Sequence, residues 1–184
     1  MGPGGEAPCR VPLPSNTVGS YPPQSEEHPF RAAFRTRDLD AWRAHFSPDI
    51  KLHSPLITST FDGYDSAVEL YELLFGALKD FQIELASHAD GVDVFQWRCI
   101  AAGRPIEGVD LIRYAADGKI CEIRVMIRTL PSLAAFALAI GPALARRRGR
   151  LRGAVAYALT YPLKPLFALV DAAAPRLAQR KDRR

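Results

Sequence analysis

Cysteine is scarce in this 184-residue chain: there are three, and none lies in a Cys-x-x-Cys or other metal-ligand spacing. Cys9 stands in a Pro/Gly-rich leader, and Cys99 and Cys121 in strand-like stretches, a pattern that predicts reduced thiols rather than a disulfide framework. No two of the four histidines have ligand spacing, so no metal site is expected, and no cofactor is expected either. The first 27 residues lack both a basic n-region and an apolar h-region, which argues against a secretory signal; Glu6 breaks the myristoylation pattern that Met1-Gly2 would open. No uncharged run reaches span length, and the apolar segment Ala154–Val170 carries Lys164, Pro162 and Pro165. The uncharged stretch 129–145 is 17 residues and carries Gly141-Pro142, short and poorly shaped for a membrane span. These absences together predict a cytoplasmic protein.

What is present is a chain that is 48% apolar, enough for one packed domain with extensions. Its net charge of +4 hides a split. From Arg146 onward there are eleven Lys/Arg against two Asp, whereas the rest has thirteen basic and eighteen acidic residues. A mildly acidic body thus carries a strongly basic tail, and such a tail favours a polyanionic partner.

Residues 1–27 show no periodicity and read as a disordered leader. A helix is expected to begin at "SEEHPF", capped by Ser25 or His28 with Pro29 in its first turn, and to kink at a second cap, Asp38. Alternation in "PDIKLHSPL" predicts a strand with Ile50, Leu52 and Ser54 on one face and Lys51 and His53 on the other. A short strand, an Asp62-Gly63 turn and a helix bearing Ala67, Tyr71, Leu74, Phe75 and Leu78 follow. Four further strands are expected at 81–87, 92–101, 106–114 and 119–128, joined by "ADGVD", "AAGRP" and "AADGK". Helices preceding an antiparallel meander with one apolar face indicate an α+β domain whose helices cover a curved sheet.

The segments "FRTRDLDAWRAHFSPDIKLHSPL", "FDGYDSAVELYELLFGAL" and "GVDLIRYAADGKICEIRVMIR" resemble the nuclear transport factor 2-like (SnoaL-like) superfamily over residues 28–130. The resemblance implies a cone-shaped, strongly curved, mostly antiparallel sheet packed on N-terminal helices around an apolar pocket, and homodimers. It divides the chain into a leader (1–27), the domain (28–130) and a basic, amphipathic helical tail (131–184). Steroid isomerases of the superfamily use a base Asp before a Pro, a Tyr on the first helix and a protonated strand Asp. Here those positions hold Ser54, Phe30 and Asp110, so one of the three is kept. Ser54 without a partner base and Phe30 without a hydrogen bond argue against that chemistry. The epoxide-hydrolase arrangement fails too, because Gly108 replaces the Arg two residues before the strand Asp, and Arg124 and Arg128 stand on the strand where a second Asp is expected.

Asp110 is therefore the candidate catalytic residue. Pointing inward, it would be desolvated and could serve as a neutral donor or an acid–base group. The expected ligand wall is Phe30, Phe34, Trp42, Leu52, Ser54, Leu56, Phe95, Trp97, Ile112, Val125 and Ile127. Trp97 could either line a pocket mouth or plug the pocket. His53 should face away from Ser54, which disfavours a dyad. His45 and His88 are expected at the surface, and Arg104 and Glu107 as a solvated pair.

In the tail, Leu133, Phe136, Ala137, Ile140 and Leu144 form a stripe ending in "RRRGRLR". It is expected either to lie on an anionic membrane or to pack on the domain. Nucleic acid is disfavoured, since no aromatics interleave the basic run. Two functions from different classes remain. One is binding or transformation of a small apolar molecule of steroid, polyketide or terpene type, by acid–base isomerase, cyclase or hydrolase chemistry if it is an enzyme. The other is a non-catalytic dimeric scaffold whose basic tail contacts a membrane or a protein.

Overall fold

A computed structural model describes residues 29–36, 38–89 and 91–178. Two short helices open it, α1 (Pro29–Thr36) and α2 (Leu39–Arg43). The break between them is set by Asp38, whose extended backbone (φ −80°, ψ 95°) ends one helix while its side chain accepts from Ala41 N at 2.9 Å to start the next. The expected caps Ser25 and His28 lie outside the described residues. Strand β1 (Phe46–His53) alternates buried Ile50 and Leu52 with exposed Lys51. It pairs antiparallel with β2 (Thr60–Asp62), and α3 (Tyr64–Ala77) follows the Gly63 turn, burying Ala67, Leu70, Tyr71 and Leu74.

The remaining strands are β3 (Lys79–Ala89), β4 (Val92–Ala101), β5 (Arg104–Tyr114) and β6 (Ile120–Arg128). With β1 and β2 they form one six-stranded sheet in the order β2-β1-β6-β5-β4-β3. Short turns join the last four strands as hairpins, which makes them antiparallel. At the β5–β6 turn Gly118 takes φ 80°, Ala115 N donates to Lys119 O at 2.7 Å, and Asp117 accepts from Lys119 N at 3.0 Å. By contrast, β1 runs parallel to β6, with Leu52 opposite Ile123 and a register shift between Phe46 and Lys51. The fold is α+β, as the alternation predicts.

Packing divides the chain into two compact units. The first runs to Val68 and adds Ile83–Trp97 and Val109–Val125; the second holds Glu69–Gln82, Arg98–Gly108 and the chain from Met126 onward. In the first, Phe30, Trp42 and Phe46 pack in series at ring separations of 5.6 and 4.1 Å, and Ile50, Leu52, Phe95, Ile112, Ile120 and Ile123 are buried.

In the second unit, helix α4 (Leu130–Arg147) starts at Thr129, whose side chain accepts from Ser132 N, while Ser132 Oγ donates to Pro105 O at 3.2 Å. Of its expected stripe, Phe136, Ala137 and Ile140 are buried, together with Ala134 and Ala135. Two more helices, α5 (Arg150–Thr160) and α6 (Leu163–Ala178), complete the described residues. Arg147 and Arg148 bond Glu72 and Glu69 of α3 at 3.1 and 2.8 Å, half-exposed pairs that orient more than they stabilise.

The α4–α5 crossing depends on Gly153. A Cβ there would sit 2.9 Å from Arg146 Cβ, closer than side-chain carbons approach, and a tight 3.2 Å from Pro142 O. Gly153→Val should therefore destabilise the protein by about 2 kcal/mol through overpacking, read as a lower urea midpoint. An unchanged midpoint would mean that the two helices separate without cost.

Cys99 is a free, buried thiol. Cys121 departs from the reduced pattern expected from composition: it is disulfide-bonded.

Candidate functional site

The site is built on adjacent strands by simple alternation. On β4 the inward phase is Asp93, Phe95, Trp97, Cys99 and Ala101; on β5 it is Ile106, Gly108, Asp110 and Ile112. Trp97 and Asp110 thus project from the same face of neighbouring strands, and the indole Nε1 donates to Asp110 Oδ1 at 2.9 Å. Asp110 is only 5% exposed. Burial pushes its carboxyl up to about 7, against the smaller opposing pull of the Trp97 hydrogen bond. Near neutral pH it therefore exists in both protonation states. Among the described residues Trp97 is the one side chain that hydrogen-bonds Asp110, which leaves Oδ2 available to a further partner.

Phe30 and Trp42 are fully buried in the aromatic series with Phe46, and Leu52, Phe95 and Ile112 are buried strand residues. Leu56, Val125 and Ile127 are half-buried, and the side chain of Phe34 lies outside the described residues. Ser54 accepts from Leu56 N at 3.2 Å, holding the turn that follows β1. His53, the last residue of β1, has its Nε2 3.0 Å from Glu122. Arg113 and Arg124 join Glu122 at 3.3 and 2.7 Å. Burial raises the Glu122 carboxyl, but the Arg124 hydrogen bond and the charges of Arg124, His53 and Arg113 outweigh it, so the net shift is downward.

A second polar cluster is one the sequence reading did not assemble. Asp93 is 1% exposed, accepts from Tyr114 Oη at 2.7 Å and lies 2.5 Å from His88 Nδ1. His88 is exposed, as expected, with its side chain 40% accessible, and its ring is in addition held by the buried acid. The signal was available, since Asp93 shares the inward phase of Phe95 and Trp97.

A search for family models matches residues 28–123 to the SnoaL-like domain. The chain belongs to this family, within the nuclear transport factor 2-like superfamily. Among solved structures, a steroid delta-isomerase from Pseudomonas aeruginosa matches with a TM-score of 0.60 and 22% identity, over 64% of this chain and 88% of that one. A protein with a cystatin-like fold from Silicibacter pomeroyi matches with a TM-score of 0.57 and 19% identity, over 62% and 84%. A protein from Kribbella flavida gives 0.51 and 19%, over 66% and 93%. At these identities the likeness is one of fold. No curated protein matches the sequence significantly.

At two positions the resemblance leads this chain to be expected to differ from the isomerases. Ser54 is a turn residue, and no described base bonds it. Phe30 is a core aromatic. Of these three positions Asp110 alone combines an acidic group, deep burial and a fixed orientation, properties that Asp93 shares elsewhere on the sheet.

Proposed function

We propose that this SnoaL-like domain binds a small apolar molecule of steroid, polyketide or terpene type, with Asp110 as the polar anchor that hydrogen-bonds a ligand oxygen. The bond from Trp97 to Oδ1 carries this reading. It holds one carboxyl oxygen and leaves the other, when protonated, as an O–H donor in a buried setting. A donor so placed could polarise a carbonyl, or pass its proton to an oxygen leaving group and recover one from water. The isomerase fold of a similar structure agrees with a ligand of this class.

Equilibrium binding of a panel of cyclic enones, read by tryptophan fluorescence, tests the reading. With a group titrating near 7, the protonated fraction falls about tenfold between pH 6 and pH 8, and affinity should fall with it. Asp110→Asn keeps a donor and an acceptor, so its binding should be independent of pH; Asp110→Leu should abolish binding. Wild-type affinity that does not vary with pH, or no binding to any of the panel, would refute the proposal.

The second reading is a non-catalytic homodimeric scaffold. It is favoured by the same pair read differently: Trp97 and Asp110 satisfy each other in a buried setting, as a structural link between two strands does. Asp110→Asn would then leave every binding property unchanged and alter stability alone.

A further inference from the structure

Tyr161, between α5 and α6, keeps helical dihedrals (φ −56°, ψ −47°) and donates its N–H to Tyr157 O at 2.8 Å. Arg150–Leu177 therefore runs as one 28-residue rod, long and apolar enough by length and composition to cross a membrane. One side of the rod is engaged. Gly153 is buried against Arg146 and Pro142 of α4, and Lys164 Nζ donates to Ala102 O at 2.8 Å.

The other side faces water with large aliphatic groups. Leu151 and Leu177 are 77% and 85% exposed, Leu159 and Leu169 are more than two-thirds exposed, and Val155, Leu166 and Val170 about half. Leu151, Val155 and Leu159 follow at i, i+4, i+8, and Leu166, Leu169, Val170 and Leu177 return to the same strip, a sector about 100° wide. So continuous a strip exceeds what a soluble surface ordinarily leaves in contact with water.

Cations bracket the strip. Arg146, Arg150 and Arg152 are exposed, and among the described residues none has a carboxylate within ion-pair distance. At the far end Arg176 is followed by "LAQRKDRR" in the sequence. Between Arg152 and Arg176 the charged residues are Lys164, on the engaged side, and Asp171.

We infer that the outer strip of Arg150–Leu177 is a docking surface for an anionic lipid bilayer. The rod lies flat among the headgroups, its leucines entering the acyl boundary and its terminal arginines contacting lipid phosphates and carboxylates. A flat pose follows from the engaged side: hydrocarbon cannot surround a helix that is held along its length by α4 and Lys164. Charge also separates a bilayer from a second copy of this chain. Both ends of the strip are cationic, so pairing two strips in either direction would set arginine against arginine.

Flotation of the full chain with phosphatidylcholine vesicles, with and without phosphatidylserine, tests the inference. The wild type should float with the anionic vesicles, weakly with neutral ones, and release in high salt. Leu159→Glu/Leu169→Glu should lower partitioning at least about tenfold, and Arg150→Gln/Arg152→Gln should lower it by a comparable factor on anionic vesicles alone. Both pairs are exposed, so thermal melts should match the wild type and separate lost docking from lost folding. Wild type remaining in the soluble fraction, or variants that float equally well, would overturn the inference. So would a change confined to sedimentation velocity, which would assign the strip to another protein copy, or protection of the C-terminal end from protease by sealed vesicles, which would mean a span.

Discussion

Asp110→Asn should make the protein more stable than wild type, and by a wider margin at pH 8 than at pH 5. The carboxyl sits near 7 in the native state against an ordinary 3.8, chiefly because burial penalises its charged form. Between those values the native state holds a proton that the unfolded chain has released. Raising the pH therefore favours unfolding: the stabilising contribution of this group is complete below about 3.8, shrinks through the interval and is gone above about 7. From pH 5 to the native value is two units, at about 1.4 kcal/mol each, or about 3 kcal/mol in all. The amide of the variant does not titrate, and its oxygen can still accept from Trp97. Urea unfolding of both proteins at the two pH values measures the difference directly. Parallel pH profiles would show that Asp110 is ionised in the native state and would remove the basis for its role as a donor.

Removing two of the side chains that meet Asp93, in His88→Ala/Tyr114→Phe, should cost about 3 kcal/mol or more. An acid buried to this degree is tolerated because hydrogen bonds replace the water it has lost, and the two groups removed are among its partners, at 2.5 and 2.7 Å. The informative measurement is the third substitution. Adding Asp93→Leu to the double variant removes the poorly solvated acid and fills its space with apolar atoms, so part of the lost stability should return. If Asp93→Leu instead adds a further loss of its own, packing around Asp93 rather than its desolvation governs the site. A double variant within about 1 kcal/mol of wild type would show the cluster to be a surface feature.

Both predictions concern residues whose facing was legible before any coordinates, but whose partners were not. The inward phase of "GVDLIRY" places Asp110 with Ile112, and that of "VDVFQWRCIA" places Asp93 with Phe95 and Trp97. Strand periodicity reports a face. Which side chain stands opposite depends on strand order and register, and those come from pairings between residues far apart in the chain. The superfamily pattern singled out Asp110 because its position lies on a motif. It was silent on Asp93, His88 and Tyr114, which come from β3, β4 and β5 and form no local signature. Ser54 was legible as a missing base, and the structure adds the reason it suits its place: its hydroxyl holds a turn.

The tail shows the same division in reverse. Its apolar stripe at Phe136, Ala137 and Ile140 was plain from spacing and the basic run after it from composition, and the stripe was expected either to pack on the domain or to lie on a membrane. The structure buries that stripe within the protein and leaves the aliphatic residues of the next two helices exposed instead. Amphipathic spacing is equally strong evidence for packing on a domain and for lying on a membrane, because each simply removes one helix face from water.

By itself the sequence determined the α+β class, the strand phases, the helix break at Asp38, the inward placement of Asp110 and the basic tail. These rest on local quantities: side-chain period, capping chemistry, turn residues and charge. Tertiary structure alone decided that Trp97 is the partner of Asp110, that three strands gather around Asp93, and that α4 is covered while the outer strip of α5 and α6 is not. Burial and hydrogen-bond partners are properties of surfaces brought together, and a one-dimensional pattern constrains which face is presented without saying what it will meet.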